Sequence, residues 1–179
     1  MKRHILLLRG INVGKAKRVA MADLRALMEG LGHANVRTLL NSGNAVFDAG
    51  AGTPAGHARK LRAALLEHTG VDADAIVKTA ADIAAALAEH PLRAHADDPA
   101  KLQVIFTQDD ASLALLAPLE GTDWAQEAFA LSPHAAWLWC ADGVIESRVY
   151  KAVGRLLGQR GTARNQATLE KLDALARAD

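Results

Sequence analysis

The first 78 residues alternate between runs spaced like strands and runs spaced like helices, in the order strand, helix, strand, strand, helix, strand. That order constrains the fold more than any other feature of the chain. Arg3 to Leu8 is apolar and rich in Leu and Ile, and a loop with glycines and an asparagine, Arg9 to Arg18, ends it. Leu24, Leu27, Met28 and Leu31 recur at the helical period, and Gly32 stands where a left-handed residue would close that helix. Val36 to Leu40 and Ala45 to Phe47 flank Asn41-Ser42-Gly43-Asn44, a cluster that tolerates positive φ, and so form a hairpin. Thr53-Pro54 supplies an N-cap and a first-turn proline for a helix with Ala58, Leu61, Leu65 and Leu66 on one side, and Gly70 lies past its end. Ala75 to Lys78 closes the segment as a strand. The expectation is α+β architecture, with residues 1–78 as a ferredoxin-like lobe of four antiparallel strands and helices on one face.

Residues 79–179 read as a second α+β lobe with C-terminal helices. Thr79 opens a helix that ends near His90-Pro91, followed by a strand at Leu102–Thr107 and a short helix from Ala111 to Leu116. Strands near Gln126–Leu131 and Ala136–Cys140 flank Ser132-Pro133-His134. A helix carries Val149, Val153, Leu156 and Leu157, and a last helix is expected to begin at Thr162 with Leu169, Leu172 and Leu175 facing inward. The strand order of this lobe is not readable from sequence.

Composition enters as a test of whether such lobes can be filled. Half of the chain is hydrophobic; alanine accounts for 38 residues, and Leu, Ile, Val and Phe together for 44. That suffices for a folded protein. No apolar run reaches the ~18 residues of a membrane span, and the four-residue run after Arg3-His4 is too short for a signal peptide. A cytoplasmic location is the expectation. One cysteine, Cys140, excludes an intrachain disulfide and a thiolate cluster.

The net charge of +1 is a cancellation: residues 1–78 carry +6, residues 79–143 carry −8 and residues 144–179 carry +3. A basic surface beside an acidic one, two mutually attracting lobes, and chance distribution over solvated faces all fit this.

Three stretches carry candidate binding chemistry. The loop Arg9-Gly10-Ile11-Asn12-Val13-Gly14-Lys15 resembles a phosphate loop in kind, since glycines admit a phosphate to the backbone and lysine neutralises it. Three residues rather than four separate its glycines, and Ala16 rather than Ser or Thr follows the lysine, so it is not a Walker loop. It remains either an anion-holding turn with Arg9, Lys15, Lys17 and Arg18, or a turn shaped by its glycines. Ser42, Gly43 and Asn44 are either a hairpin turn or a donor set; no base is tied to Ser42, so binding is favoured over covalent chemistry. Thr162, Arg164 and Asn165, at the expected helix start, are either a cap or an anion site built on free N–H groups and a guanidinium. The seven histidines show no metal-ligand spacing, no metal or cofactor is expected, and no general base can be named. Trp124, Trp137 and Trp139 read as packing rather than base-stacking platforms.

Taken together, Leu6-Leu-Leu-Arg9-Gly-Ile-Asn-Val-Gly14, Met21-Ala-Asp-Leu24, Leu31-Gly32, Val36-Arg37-Thr38, Ser42-Gly43-Asn44 and Thr162-Ala-Arg164-Asn165 resemble a bacterial family catalogued as domain of unknown function 1697. The resemblance spans the chain from end to end. It departs at Lys15, where the family usually doubles the glycine, and at Gln166-Ala167, where an aromatic residue and Asn commonly follow. It implies two α+β lobes and no established activity. It also groups Arg9, Asn12, Ser42, Asn44, Arg164 and Asn165 as one feature.

The reading that follows has the three stretches converging at the lobe junction on a small anionic or phosphate-bearing ligand. Arg9 and Arg164 would pair with the anion, Asn12, Asn44 and Asn165 would orient its neutral part, and Ser42 would donate. Nucleic-acid binding by the basic first lobe and a purely structural role of the motifs at the lobe interface are the alternatives. Oligomeric state is open.

Overall fold

The computed structural model describes residues 1–95 and 97–178. The chain divides into two compact units, one of Met1–Ala80 with the segment from Leu172 onward, the other of Ala81–Lys171.

In the first unit, β1 (Lys2–Leu8), α1 (Met21–Gly30), β2 (Ala34–Leu39), β3 (Asn44–Ala49), α2 (Pro54–Thr69) and β4 (Ala75–Thr79) follow in sequence. The sheet runs β2-β3-β1-β4, and every neighbouring pair is antiparallel. Leu6 and Leu8 of β1, with Ala45, Phe47 and Val77 from its neighbours, meet Leu24 and Met28 of α1 and Ala58, Leu61 and Leu65 of α2 in one buried core. Burying the Leu, Met, Val and Phe side chains contributes about 1.5–3 kcal/mol each. Local chemistry sets the ends of α2: the Thr53 side chain accepts from Gly56 N, Pro54 opens the helix, and Gly70 closes it at φ 70°. The stripe of α1 ends sooner than its spacing predicts. Leu31 lies at the C-cap and is 40% exposed, because the chain turns away at Gly32 with φ 85°.

The second unit contains α3 (Ala80–Glu89), β5 (Leu102–Thr107), α4 (Asp110–Ala114), β6 (Ala128–Leu131), β7 (Ala136–Trp139), α5 (Arg148–Leu157), β8 (Gly161–Asn165) and the start of α6 (Gln166–Arg177). Its sheet order is β6-β7-β5-β8, again antiparallel throughout. From β5 to β8 this is the same strand, helix, strand, strand, helix, strand order as in the first unit, with the same placement of second, third, first and fourth strands. Ile105, Leu138, Val149, Val153 and Leu157 share its core.

Two expectations change. Thr162 does not begin the last helix: Gly161–Asn165 pairs along β5, with Val104 opposite Arg164, and α6 begins at Gln166. A helix capped at Thr162 would leave that edge of β5 unpaired. The expected single lobe 79–179 also differs from the observed grouping, in which the end of α6 belongs with the first unit. There Arg3 donates from Nη1 to the carbonyls of Ala176 and Ala178, both at 2.9 Å, and Arg37 donates to the carbonyl of Ala178.

Candidate functional site

The β1–α1 loop is closed by Asn12. Its Nδ2 donates to Val19 O at 2.8 Å and to Asn41 O at 2.7 Å, its Oδ1 accepts from Val19 N at 2.9 Å, and its own N–H donates to Lys17 O. Asn12 sits at φ 55°, a conformation asparagine tolerates better than most residues. With its amide engaged on both sides, Asn12 shapes the loop. Lys15, Lys17 and Arg18 are exposed on the rim; Lys17 donates to Asp72 O, and Arg18 donates to Gly14 O. Arg62 pairs with Asp72 and Asp74, and that hydrogen bonding holds the Asp72 carboxyl below its usual range.

The β2–β3 turn locks against this loop. Asn44 is fully buried and donates from Nδ2 to Leu39 O at 3.0 Å and to Ser42 Oγ at 2.9 Å. Gly43 has φ 84°, and a Cβ there would lie 2.6 Å from Leu8 Cβ and 2.9 Å from Ile11 Cδ1. Its carbonyl accepts from Leu8 N. Glycine is therefore required by close approach as well as by backbone conformation. Asn12, Gly43 and Asn44 interlock the loop and the turn within the first unit.

Beside the interlock is a groove of about 320 Å³ lined by Asn12, Arg18, Val19, Ala20 and Asn41. It lies at the start of α1, where Ala20 is the N-cap and offers no side-chain acceptor. The starts of α2, α4, α5 and α6 are closed by side chains: α2 by Thr53, α4 by Asp109, α5 by Ser147 with Glu127, and α6 by Asn165 Oδ1 accepting from Thr168 N. The groove thus brings the Arg18 guanidinium beside Ala20, the N-cap of a helix whose start has no side-chain cap and whose first turn carries Asp23. Arg18 is the one charged side chain among its lining residues, beside the amides of Asn12 and Asn41.

The third stretch belongs to the second unit. Arg164 donates from Nη1 to Thr162 Oγ1 at 2.9 Å and to Ala163 O at 2.7 Å. Burial pulls its guanidinium down to about 10, against a raising contribution from Tyr150. The expected partnership of Arg164 with free helix N–H groups is corrected: it lies in β8, and Asn165 is the cap.

Sequence reading missed two features. His90 donates from Nε2 to Gln166 Oε1 at 3.2 Å and stacks on Trp137 with centroids 4.5 Å apart, while Gln166 donates on to Glu170. His4, His33 and His57 gather around Phe47. No local spacing announces either, because each joins residues from separate elements. Trp137 is buried and Trp139 stacks on His95, so neither is an open platform for bases. Among the described residues, no group of three or more His, Cys, Asp or Glu side chains is placed to hold a metal ion, and no helix is long and apolar enough to cross a membrane.

Residues 1–137 match the family described as Protein of unknown function (DUF1697). The chain belongs to the DUF1697 family. The match takes in the β1–α1 loop and the Ser42-Gly43-Asn44 turn but stops short of Thr162, Arg164 and Asn165. This DUF1697 chain is also similar to the solved structure of the conserved bacterial protein SP0830 from Streptococcus pneumoniae, at 23% identity and a TM-score of 0.75 over 98% of this chain and 99% of that one. That likeness concerns the fold. No curated protein matches the chain.

Proposed function

We propose that the first unit binds a small anionic ligand, phosphate- or carboxylate-bearing, in the groove at the start of α1. The observation that carries this is a cavity of about 320 Å³ lined by Arg18 and by Ala20, the N-cap residue of α1, which has no side-chain cap. Arg18 would pair with the anion, and Lys15 would add charge from the rim. Asn12, Gly14, Gly43 and Asn44 hold the groove's walls in this reading rather than touching ligand. Arg9, Gly10 and Ser42 belong to the same loop and turn. Thr162, Arg164 and Asn165 lie outside this groove: Arg164 donates to Thr162 Oγ1, and Asn165 accepts from Thr168 N at the start of α6.

The ferredoxin-like description of the first unit is part of this reading, supported by its element order and by a sheet in which β1 and β3 are central. So is a cytoplasmic location, supported by a lone, buried, unpaired Cys140.

The test is calorimetric titration of the full chain with inorganic phosphate, a nucleoside monophosphate and a dicarboxylate, repeated on Arg18→Ala and Lys15→Ala. Saturable binding that Arg18→Ala weakens by about tenfold or more supports the groove. No heat with any of the three up to ~10 mM, or binding that Arg18→Ala leaves intact, overturns it.

A further inference from the structure

In the first unit, three imidazoles from three separate elements surround one phenyl ring. His4 of β1 stands opposite Phe47 of β3 in the sheet register and stacks on it at 5.7 Å. His33, in the turn between α1 and β2, lies 4.7 Å from Phe47, centroid to centroid. His57, in the first turn of α2, meets His4 edge-on at 5.4 Å and His33 edge-on at 5.3 Å. All three are buried.

Their hydrogen bonding is incomplete. His4 Nδ1 lies 2.8 Å from Lys2 O, which can only accept, so that nitrogen carries the hydrogen. Nε2 of His33 and Nε2 of His57 are buried and meet no partner among the described residues. A Cβ on Gly52 would stand 3.0 Å from His57 Cε1 and Nε2, so the chain before α2 closes tightly over that ring.

We propose that His33 and His57, wedged against Phe47 beside His4, form an acid-sensitive latch: neutral, they fasten the α1–β2 turn and the first turn of α2 to the sheet; protonated, they release them.

The groups that act on the cluster from the surrounding elements are basic: His4 from β1, His33 from the turn, and His57 and Lys60 from α2, with Phe47 the uncharged face from β3. Desolvation, then the neighbouring positive groups, lower the affinity of His33 and His57 for a proton. A ring hydrogen at the buried Nε2 of either imidazole would find no acceptor among the described residues, and a charged group so placed is relieved only by reaching water. The two elements that can bring it there are the ones the rings fasten. Gly32 at φ 85° and Gly52 at φ 141° flank them as points where the backbone can re-route.

Because the folded chain binds these protons less readily than the unfolded one, the latch is fully closed above about pH 6.5 and weakens as pH falls below it. The experiment is hydrogen exchange on the full chain from about pH 8 to about pH 5, corrected for intrinsic exchange, with imidazole titrations followed by NMR on the same protein. Protection at residues 31–34 and 53–58 is expected to fall by up to about tenfold per pH unit for each proton taken up, ahead of β1. His33 and His57 are expected to titrate below about 6.5, and His33→Phe with His57→Phe is expected to flatten the pH dependence. Protection that falls no faster there than in β1, or titration of both rings at or above about 6.5, overturns the latch. Should the double variant fail to fold, the hydrogen exchange of the unaltered chain, read together with its imidazole titrations, decides.

Discussion

Asn12 Nδ2 donates to the carbonyl oxygen of Asn41 at 2.7 Å, joining the loop after β1 to the turn between β2 and β3. The same amide closes its own loop on Val19 from both sides. A side chain engaged in three hydrogen bonds with backbone is a structural member. Asn12→Ala is therefore expected to destabilise the chain by about 2–3 kcal/mol, from three lost bonds and the loss of asparagine's tolerance of positive φ. Urea denaturation measures this, and a loss under about 0.5 kcal/mol would show that the interlock contributes little.

Gly43 and Gly10 both have positive φ, yet they are expected to respond differently to alanine. At Gly43 the added carbon would press on Leu8 Cβ and Ile11 Cδ1, which are core atoms with no room to retreat; at Gly10 it would meet nothing within 4 Å. Gly43→Ala is expected to cost about 3 kcal/mol or more, and Gly10→Ala about 1 kcal/mol, the backbone cost alone. Equal thermal shifts for the two would contradict the close approach.

Arg164 is expected to act on stability rather than on ligand binding. Arg164→Ala removes the donor to Thr162 Oγ1 and Ala163 O inside a buried edge of β8, at a cost of about 2–4 kcal/mol. Phosphate binding measured by calorimetry on the surviving fold should be unchanged. A selective loss of binding at wild-type melting temperature would restore Arg164 to the site.

How far these residues could be read from the sequence depends on the range of the interaction that sets them. Thr53-Pro54 and Gly70 act within one helical turn, and α2 lies where they place it. Leu102–Thr107 is mostly apolar, as a strand buried along its whole length requires, and its ends agree residue for residue. Thr162 looked like a cap because threonine often is one. Pairing of Gly161–Asn165 along β5 overrides that local preference and hands the cap to Asn165. The shared order of the two sheets was hidden for the same reason, since strand neighbours are chosen by distant partners. In the candidate site, the glycines and asparagines of the loop and turn were legible as a set. Their engagement with one another, and the uncapped start of α1 beside Arg18, were not.

His90 offers a separate test of buried imidazole chemistry, in the second unit. It is stacked on Trp137, donates to Gln166 and is held below its ordinary proton affinity chiefly by burial, then by Arg93. The unfolded chain therefore takes up a proton at His90 more readily than the folded one. The stability this histidine confers is complete above about pH 6.5 and is lost as pH falls from there towards its depressed folded value. All three tryptophans, Trp124, Trp137 and Trp139, lie in the second unit, so urea unfolding followed by their fluorescence reports that unit. Between about pH 8 and about pH 5 the unfolding midpoint is expected to fall, and His90→Gln, which cannot titrate, is expected to reduce that fall. An undiminished pH dependence in the variant would assign the acid sensitivity of the second unit to other groups.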